Sequence, residues 1–204
     1  MNLATELIER ISKKSVHIVV IGDVMVDHWV SGELTDCQDG CKKFVKKSLV
    51  SVAGGAGNAV RSISNWDILT TLCGGINRPE KWRFISDDNK VLFRWDDEFR
   101  SDSICQDLMD QTMNVVRVAD GVLLSDYDKG FLRPEFIREI VGACERRGVS
   151  CVADCKRSPK LYAGCVLKGN MSWAQRHVHE LFNSPLIDMS NVVITNGGSA
   201  PTLY

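Results

Sequence analysis

The chain has 204 residues, of which 44% are hydrophobic and 25% charged, a composition typical of one globular domain with a substantial core. Lys and Arg number 25 and Asp and Glu 26, so a formal net charge of −1 argues against the basic surface that a nucleic-acid-binding protein needs. The N-terminus lacks the apolar segment of a signal peptide and no apolar run has the length of a membrane span, so we expect a cytoplasmic protein without a membrane partner.

Strands and helices are predicted to alternate along the chain. In chain order the predicted elements are a helix over 4–13, a buried strand at His17–Ile21, an edge-like strand at Phe44–Val52, a helix opened by Gly54–Asn58, a strand at Ile68–Cys73, a hairpin of Arg83–Ser86 and Lys90–Trp95, a helix at Ser103–Val116, a strand at Gly121–Leu124, a helix at Arg133–Arg147, and strands at Ser150–Ala153 and Val192–Thr195.

Alternation of this kind predicts an α/β fold in which a parallel sheet is flanked by helices. The hairpin and the edge-like strand do not fit the alternation, and they predict a small β lid made of residues 29–52 and 83–97. We expect one domain over 1–204.

Polar residues follow four of the predicted strands. They are Asp23 and Asp27, then Asp126, Asp128 and Lys129, then Asp154 and Lys156, and finally Thr195 and Gly197. Asp and Gly are common turn residues, so each one alone is compatible with a purely structural role. Ligands of open parallel sheets gather beyond the carboxyl ends of the strands, so the set as a whole indicates a site.

The segment Gly54-Gly55-Ala56-Gly57-Asn58 is the local feature that most directly indicates ligand binding. Glycines let the backbone approach a ligand closely, and amides that open a helix bind oxygen-rich or anionic groups. No Gly-Lys-Ser/Thr follows, so the loop is not a Walker A motif, and its spacing differs from that of a dinucleotide-binding loop.

The eight cysteines are expected to be reduced thiols that pack as small hydrophobic side chains. Cys37 and Cys41 form one pair with C-x-x-x-C spacing, and Cys151 and Cys155 form another. Neither pair has the spacing of a structural zinc site, and His177 and His179 have no third ligand nearby in sequence, so no metal site is predicted from these residues.

Six segments together resemble the ribokinase-like (PfkB-type) carbohydrate kinases, nearest to those that phosphorylate heptose phosphates. In the order of that family they are Ile21–Trp29, Ala53–Ala59, Lys90–Asp96, Leu124–Gly130, Val152–Lys156 and Thr195–Gly197. The resemblance covers residues 16–204. It implies transfer of the γ-phosphoryl group of ATP to a sugar hydroxyl, with Mg²⁺ bridging phosphate oxygens and a general base taking the proton.

The resemblance also implies roles for individual residues. The implied sugar-binding or sugar-phosphate-binding residues are Asp27, Gly54, Gly55, Asn58, Arg94 and Lys129. The implied nucleotide-binding residues are Asp154, Lys156, Asn170, Thr195 and Gly197. Where the family has a Glu that organises Mg²⁺, this chain has Trp173, which is expected to weaken the Mg²⁺ site.

The family's Gly-x-Gly-Asp segment, which carries the catalytic base, does not occur after Gly198. We therefore identify no catalytic residue and expect a shortened, C-terminally incomplete domain with weak or absent turnover. Three hypotheses stay open: a sugar kinase, an inactive relative that binds sugar phosphate or nucleotide as a regulator or partner subunit, and an unrelated α/β binding protein. Lids of this family often pair, so a homodimer through the lid is a further expectation.

Overall fold

A computed structural model of the chain describes residues 16–66, 68–75, 78–98 and 105–203. The predicted helix at 4–13 lies outside these residues. The strands are β1 (His17–Gly22), β2 (Val24–Asp36), β3 (Lys42–Gly55), β4 (Leu69–Gly74), β5 (Glu80–Ile85), β6 (Val91–Asp97), β7 (Gly121–Ser125), β8 (Ser150–Asp154), β9 (Val166–Asn170), β10 (Val192–Asn196) and β11 (Ser199–Leu203). The helices are α1 (Ala56–Ser64), α2 (Gln106–Val116), α3 (Pro134–Arg147), α4 (Met171–Arg176) and α5 (Val178–Asn183).

The strands form two sheets. The larger has the order β11-β10-β9-β8-β7-β1-β4, and all its neighbouring pairs are parallel except β10 with β11. The smaller has the order β3-β2-β5-β6 and is mainly antiparallel, since only β2 and β5 pair in parallel. The predicted α/β class with a parallel sheet flanked by helices is confirmed.

The core lies between the larger sheet and its helices. Strand β1 is continuous in β-branched residues, and Val19, Val20 and Ile21 are fully buried because both faces of the strand are covered. Helix α3 contributes Phe136, Ile137 and other apolar side chains from one face to the same core. Its Pro at the first turn and its left-handed Gly148 after the last turn fix its two ends as predicted.

The smaller sheet has two chemically different faces. One carries the aromatic side chains of His28, Trp82 and Trp95, which stack in a row, and those of Phe84 and Phe93, which stack beside it. The opposite face carries the cationic residues of β5 and β6, because side chains alternate along each strand. We call this smaller, four-stranded sheet the second sheet. It includes residues 29–52 and 83–97, the two segments discussed in the sequence analysis, and it extends beyond both of them.

Several elements were absent from the predicted set. Strand β2 was not predicted, although its 13 residues form the centre of the second sheet. Strands β9 and β11 and the short helices α4 and α5 were not predicted either. Each of these elements except β2 has five or six residues, which is too short for hydrophobic periodicity to identify. Among the described helices, none has the length and apolar character needed to cross a membrane.

Candidate functional site at the carboxyl edge of the larger sheet

The pairing register of the larger sheet brings the predicted polar residues to one edge. Gly22 pairs with Ser125, Ser125 with Asp154, and Asp154 with Lys168, while Asn170 pairs with Thr195. The carboxyl ends of β1, β7, β8, β9 and β10 therefore follow one another along the sheet. This edge is where an open parallel sheet binds its ligands.

Asp23 anchors the loop that follows β7. Its buried carboxylate accepts hydrogen bonds from the backbone amides of Tyr127 and Lys129 at 2.8 and 3.1 Å and from that of Phe131 at 3.2 Å. Burial raises the pKa of Asp23, while the amides of Lys129 and Tyr127 oppose that shift. The role of Asp23 is therefore to hold the 126–131 loop in place rather than to contact a ligand.

Asp27 lies on β2, in the second sheet, and its carboxylate is held from two sides. Arg83 donates to Asp27 Oδ1 at 2.8 Å, and each of the two side chains is 23% exposed. Asp27 Oδ2 lies over Gly54, where a Cβ atom would come within 2.5 Å of it. The Asp27 carboxylate can therefore occupy this position only because residue 54 has no side chain. The guanidinium of Arg83 also stacks over the Trp29 ring, 4.7 Å from its centroid.

The glycine segment joins the second sheet directly to helix α1. Gly55 adopts a left-handed φ of 57°, and a Cβ there would clash with the carbonyl of Asp23. The first helical amide, that of Ala56, donates to the Asp23 carbonyl at 2.9 Å. Asn58 is exposed in the first turn of α1 and accepts a hydrogen bond from Arg61 at 3.0 Å. Gly54 and Gly55 therefore adjoin Asp27 and Asp23, and Asn58 lies one turn further along.

Cations on the charged face of the second sheet lie near Asp27. Arg83 and Arg94 are cross-strand partners, and Lys81 pairs with Asp27 on β2. Arg94 forms a bidentate ion pair with Asp96, in which Nε donates at 2.6 Å. Lys129, from the loop after β7, reaches Glu98 at 2.9 Å. Arg94 and Lys129 therefore both lie beside the second sheet, each paired with an acidic residue.

Tyr127 lies between the two halves of the candidate site. Its ring has Lys156 Nζ at 5.1 Å on the main-sheet side and Lys81 Nζ at 5.8 Å on the second-sheet side. Burial raises the pKa of Tyr127, and the negative charges of Asp154 and Asp27 add to the shift. Prediction from the sequence missed Tyr127, Lys81 and Arg83. The alternation of β5 was a signal that Lys81 and Arg83 share one face of their strand, although it does not link that face to Asp27.

Asp126 and Asp128 have a structural role. The buried carboxylate of Asp126 forms an ion pair with Arg157 and accepts from the Tyr162 hydroxyl, and it also accepts from the Asp128 amide at 2.7 Å. Asp128 itself has a left-handed φ of 58°, a conformation that Asp adopts more readily than most residues. The two acids therefore fix the shape of the loop that carries Tyr127 and Lys129.

Asp154 lies at the end of β8 between two lysines. Lys168 Nζ is 3.1 Å from Oδ2, and Lys156 Nζ is 3.6 Å from Oδ1. Asp154 Oδ1 is buried and accepts no hydrogen bond from the described residues. A buried oxygen that retains a free lone pair is able to accept from a ligand or bind a cation. This makes Asp154 the predicted nucleotide-site residue whose geometry best fits binding.

The remaining predicted nucleotide residues lie along the same edge. Asn170 begins helix α4 and its Oδ1 accepts from the Trp173 amide at 2.8 Å, so it caps that helix. Thr195 donates to the carbonyl of Gly169 at 3.3 Å. Gly197 forms the β10–β11 turn with a left-handed φ of 57° and open space on its Cβ side. The sheet therefore brings these residues together, although Asn170 and Thr195 already make local hydrogen bonds.

Trp173 is a core residue. The side chain is 1% exposed and packs directly on Gly169, where any Cβ atom would overlap the indole. Its Nε1 donates to the carbonyl of Arg157 at 2.9 Å. The side chain at position 173 therefore points into the protein and does not line the edge of the sheet.

Mg²⁺ prefers carboxylate oxygens, phosphate oxygens and water, and it is often held by only one or two carboxylates. Asp154 Oδ1 fits such a ligand, while the amide oxygen of Asn170 is already used. Lys156 and Lys168 are positioned to neutralise phosphate charge. The residues therefore fit a magnesium-bound nucleotide, in which Asp154 would be the residue that holds the ion.

No protein-family profile matches the chain. Among curated proteins it is similar to the bifunctional protein HldE of Granulibacter bethesdensis, with 28% identity over 184 residues, and to that of Rhodopseudomonas palustris strain BisA53, with 29% identity over 188 residues. Each alignment covers 74% of this chain and 38% of the relative. The chain thus spans about two fifths of the length of these relatives.

Among solved structures the chain is similar to ribokinase of Arabidopsis thaliana complexed with ribose and ATP, with a TM-score of 0.61, 14% identity, and coverage of 93% of this chain and 77% of the other. It is also similar to a carbohydrate kinase from Agrobacterium tumefaciens, with a TM-score of 0.59, 15% identity, and coverage of 93% and 73%. These likenesses show the fold. With the curated relatives, they confirm the resemblance to ribokinase-like carbohydrate kinases predicted from the sequence.

Proposed function

We propose that this chain, a domain with the ribokinase-like fold, binds a sugar or sugar phosphate beside Asp27 and transfers the γ-phosphoryl group of ATP to one of its hydroxyls. The observation that carries the proposal is the Asp27 carboxylate held between Arg83 and Gly54. A fixed, partly exposed carboxylate is a suitable acceptor for sugar hydroxyls. In this proposal Gly54, Gly55 and Asn58 line the sugar side of the site.

A phosphorylated sugar fits the charge of the second sheet better than a neutral one. Arg94 and Lys129 are paired with Asp96 and Glu98, and a phosphate of the substrate would compete with these carboxylates for the two cations. The guanidinium of Arg94 offers a bidentate donor that matches phosphate oxygens. A heptose phosphate is the substrate class suggested by the resemblance of Ile21–Trp29 and Leu124–Gly130.

The nucleotide is proposed to bind along β8, β9 and β10. Lys156 and Lys168 would neutralise phosphate charge, and Asp154 would hold Mg²⁺ through its free oxygen. Thr195, Gly197 and Asn170 would lie beside the nucleotide. Mg²⁺ would supply charge neutralisation at the phosphates. Tyr127, between Lys81 and Lys156, would separate the sugar from bulk solvent on one side.

A second candidate function is binding of sugar phosphate or nucleotide without turnover, as a regulatory or partner subunit. The observation that favours it is the core position of Trp173, which leaves Asp154, already paired with Lys156 and Lys168, as the carboxylate among the predicted nucleotide residues. A weak Mg²⁺ site slows phosphoryl transfer more than it slows sugar binding, because the metal neutralises charge at the transferred group.

Calorimetric titration with ATP–Mg²⁺ and with heptose and hexose phosphates, combined with an ADP-release assay, tests these functions. A kinase binds both ligands and releases ADP with one of the sugars. Sugar-phosphate binding without ADP release leaves only the second candidate, and binding of neither ligand contradicts both.

The Asp154→Asn variant refines the test. It is expected to reduce ADP release at least tenfold while leaving sugar-phosphate affinity within about twofold, because the change removes one metal-binding charge and leaves Asp27 and its partners unaltered. The matched control is Asp188→Asn, which alters an exposed Asp that caps a short turn. Equal ADP release in both variants would remove Asp154 from the nucleotide site.

We also propose a cytoplasmic location and a homodimer that forms through the aromatic face of the second sheet. In support, all eight cysteines lie among the described residues as free thiols, and Leu49, Phe93 and Trp95 on this face are 43%, 42% and 54% exposed. Large exposed apolar side chains that share one face of a sheet are a feature of interfaces. Sedimentation equilibrium is expected to give a dimer for the parent chain and a monomer for Trp95→Glu. The control Val118→Glu, at an exposed apolar residue elsewhere, should stay dimeric.

A parent chain that sediments as a monomer would contradict the homodimer, and so would a Trp95→Glu variant that remains dimeric.

A further inference from the structure

The tip of the β2–β3 hairpin has a defined geometry. The Cys37 amide donates to the Cys41 carbonyl at 2.9 Å, and the Gly40 amide donates to the Cys37 carbonyl at 3.1 Å. Gly40 adopts a left-handed φ of 79°, as the last residue of a three-residue hairpin loop does. This loop, Gln38-Asp39-Gly40, places Cys37 and Cys41 directly opposite each other at the ends of the two strands.

The same loop brings a carboxylate to the two thiols. The Sγ atoms of Cys37 and Cys41 and a carboxylate oxygen of Asp39 all lie within 4.8 Å of one another. The Cys41 amide also donates to Asp39 Oδ1 at 3.4 Å, which directs the carboxylate back over the strand ends. Among the described residues, Cys37, Asp39 and Cys41 are the three metal-ligating side chains whose ligand atoms are close enough to share one ion.

The spacing suits a tetrahedral metal ion. Zinc–sulfur bonds of about 2.3 Å place two sulfur ligands of a tetrahedron ~3.8 Å apart. Ligand atoms within 4.8 Å of one another need to move by only about 1 Å to reach this spacing. Cys41 and Asp39 are exposed and both cysteines are free thiols, so their side chains are not committed to the core or to a disulfide.

We propose that Cys37, Asp39 and Cys41 bind one thiophilic divalent cation of the zinc class. Two thiolates and one carboxylate supply three ligands, and water takes the fourth position because the hairpin tip faces solvent. Sulfur ligands favour Zn²⁺ or Cd²⁺ over Mg²⁺ and Ca²⁺, which distinguishes this site from the Asp154 edge. Each thiol releases its proton to solvent when it binds the metal.

The sequence alone gave only the pair of cysteines, which is too few ligands for a site. The hairpin loop adds Asp39 as the third ligand. The bound metal would cross-link the two strands at the end of the second sheet that is remote from Asp27. It would therefore stiffen the hairpin tip without entering the site proposed for the sugar.

Titration of the reduced full chain with Zn²⁺ by calorimetry, and with Co²⁺ by absorption spectroscopy, tests the proposal. We expect one metal ion per chain and a thiolate-to-cobalt charge-transfer band that Zn²⁺ displaces. Cys37→Ser and Cys41→Ser should each weaken metal binding at least tenfold and reduce the charge-transfer band. Asp39→Asn should weaken metal binding about tenfold but leave the charge-transfer band, because both thiolates remain. Mg²⁺ at the same concentration should not compete.

Two control variants match these changes. Cys105→Ser removes another exposed thiol, and Asp36→Asn removes a neighbouring negative charge that pairs with Lys42; both are expected to bind Zn²⁺ like the parent chain. Absence of Zn²⁺ binding, equal binding by Cys41→Ser and the parent chain, or one metal per two chains would each overturn the proposal. A Cys37–Cys41 disulfide found by peptide mass spectrometry under reducing conditions would also overturn it.

Discussion

Replacement of Asp27 by Ala is expected to weaken the binding of the sugar phosphate by about 100-fold or more while leaving the fold intact. The proposed role gives the carboxylate at least two charge-assisted hydrogen bonds to hydroxyls, each contributing about 1.5–3 kcal/mol. The effect on stability is small, because the Asp27–Arg83 ion pair is partly exposed and such pairs contribute about 0–1 kcal/mol. Calorimetry for affinity and thermal unfolding for stability measure the two effects separately.

Two further variants define the result. Asp87→Ala removes an acidic residue of the β5–β6 turn that pairs with Lys47, and it is expected to bind sugar phosphate normally. Gly54→Ala keeps Asp27 but adds a Cβ that would lie 2.5 Å from Oδ2, so it should displace the carboxylate and weaken binding as well. Unchanged affinity in Asp27→Ala would remove this residue from the site, whatever the Asp87 control does.

The strand ends of the larger sheet were predictable because both signals are local. A continuous β-branched run such as His17–Ile21 identifies a strand buried on both faces, and the polar residue after it marks the carboxyl end. Parallel pairing then brings these ends together without further information, as the register of Gly22 with Ser125 and of Ser125 with Asp154 shows. The α/β class and the location of the candidate site at this edge follow from these two facts.

The partners of Asp27 were not predictable in the same way. Arg83 is 56 residues away in sequence, and the two meet because β2 and β5 pair in parallel within the second sheet. Strand β2 was itself missed, since its sequence mixes charged, polar and apolar residues over 13 positions. Without β2 no register links Asp27 to β5, so Lys81 and Arg83 were not assigned to the site.

Asp23 and Asp27 illustrate a second limit. Both are acids just after β1, and residue type and spacing do not separate them. The backbone does: Asp23 is buried among the amides of the loop after β7, whereas Asp27 lies on the charged face of the second sheet. The anchoring role of Asp23 and the binding role proposed for Asp27 are therefore distinguished only by tertiary contacts.

The same distinction gives the sharpest prediction for Trp173. If this residue merely replaced a metal-facing Glu, Trp173→Glu would restore Mg²⁺ binding to a folded protein. The side chain is instead 1% exposed and packed on Gly169. Loss of a buried Trp costs about 3–5 kcal/mol, and a carboxylate in its place must be buried without a partner or protonated. We expect a loss of about 5 kcal/mol or more, comparable with the whole stability of many domains.

Urea unfolding followed by circular dichroism measures this loss, with and without Mg²⁺. Trp173→Phe is the matched control, because it keeps an apolar aromatic ring in the core while losing the hydrogen bond to the Arg157 carbonyl and part of the indole volume, at a cost of about 2–3 kcal/mol. Trp173→Glu should be largely unfolded at neutral pH and should not be rescued by Mg²⁺. A folded Trp173→Glu variant whose stability rises with Mg²⁺ concentration would mean that position 173 faces the nucleotide site, since a ligand stabilises only the state that binds it.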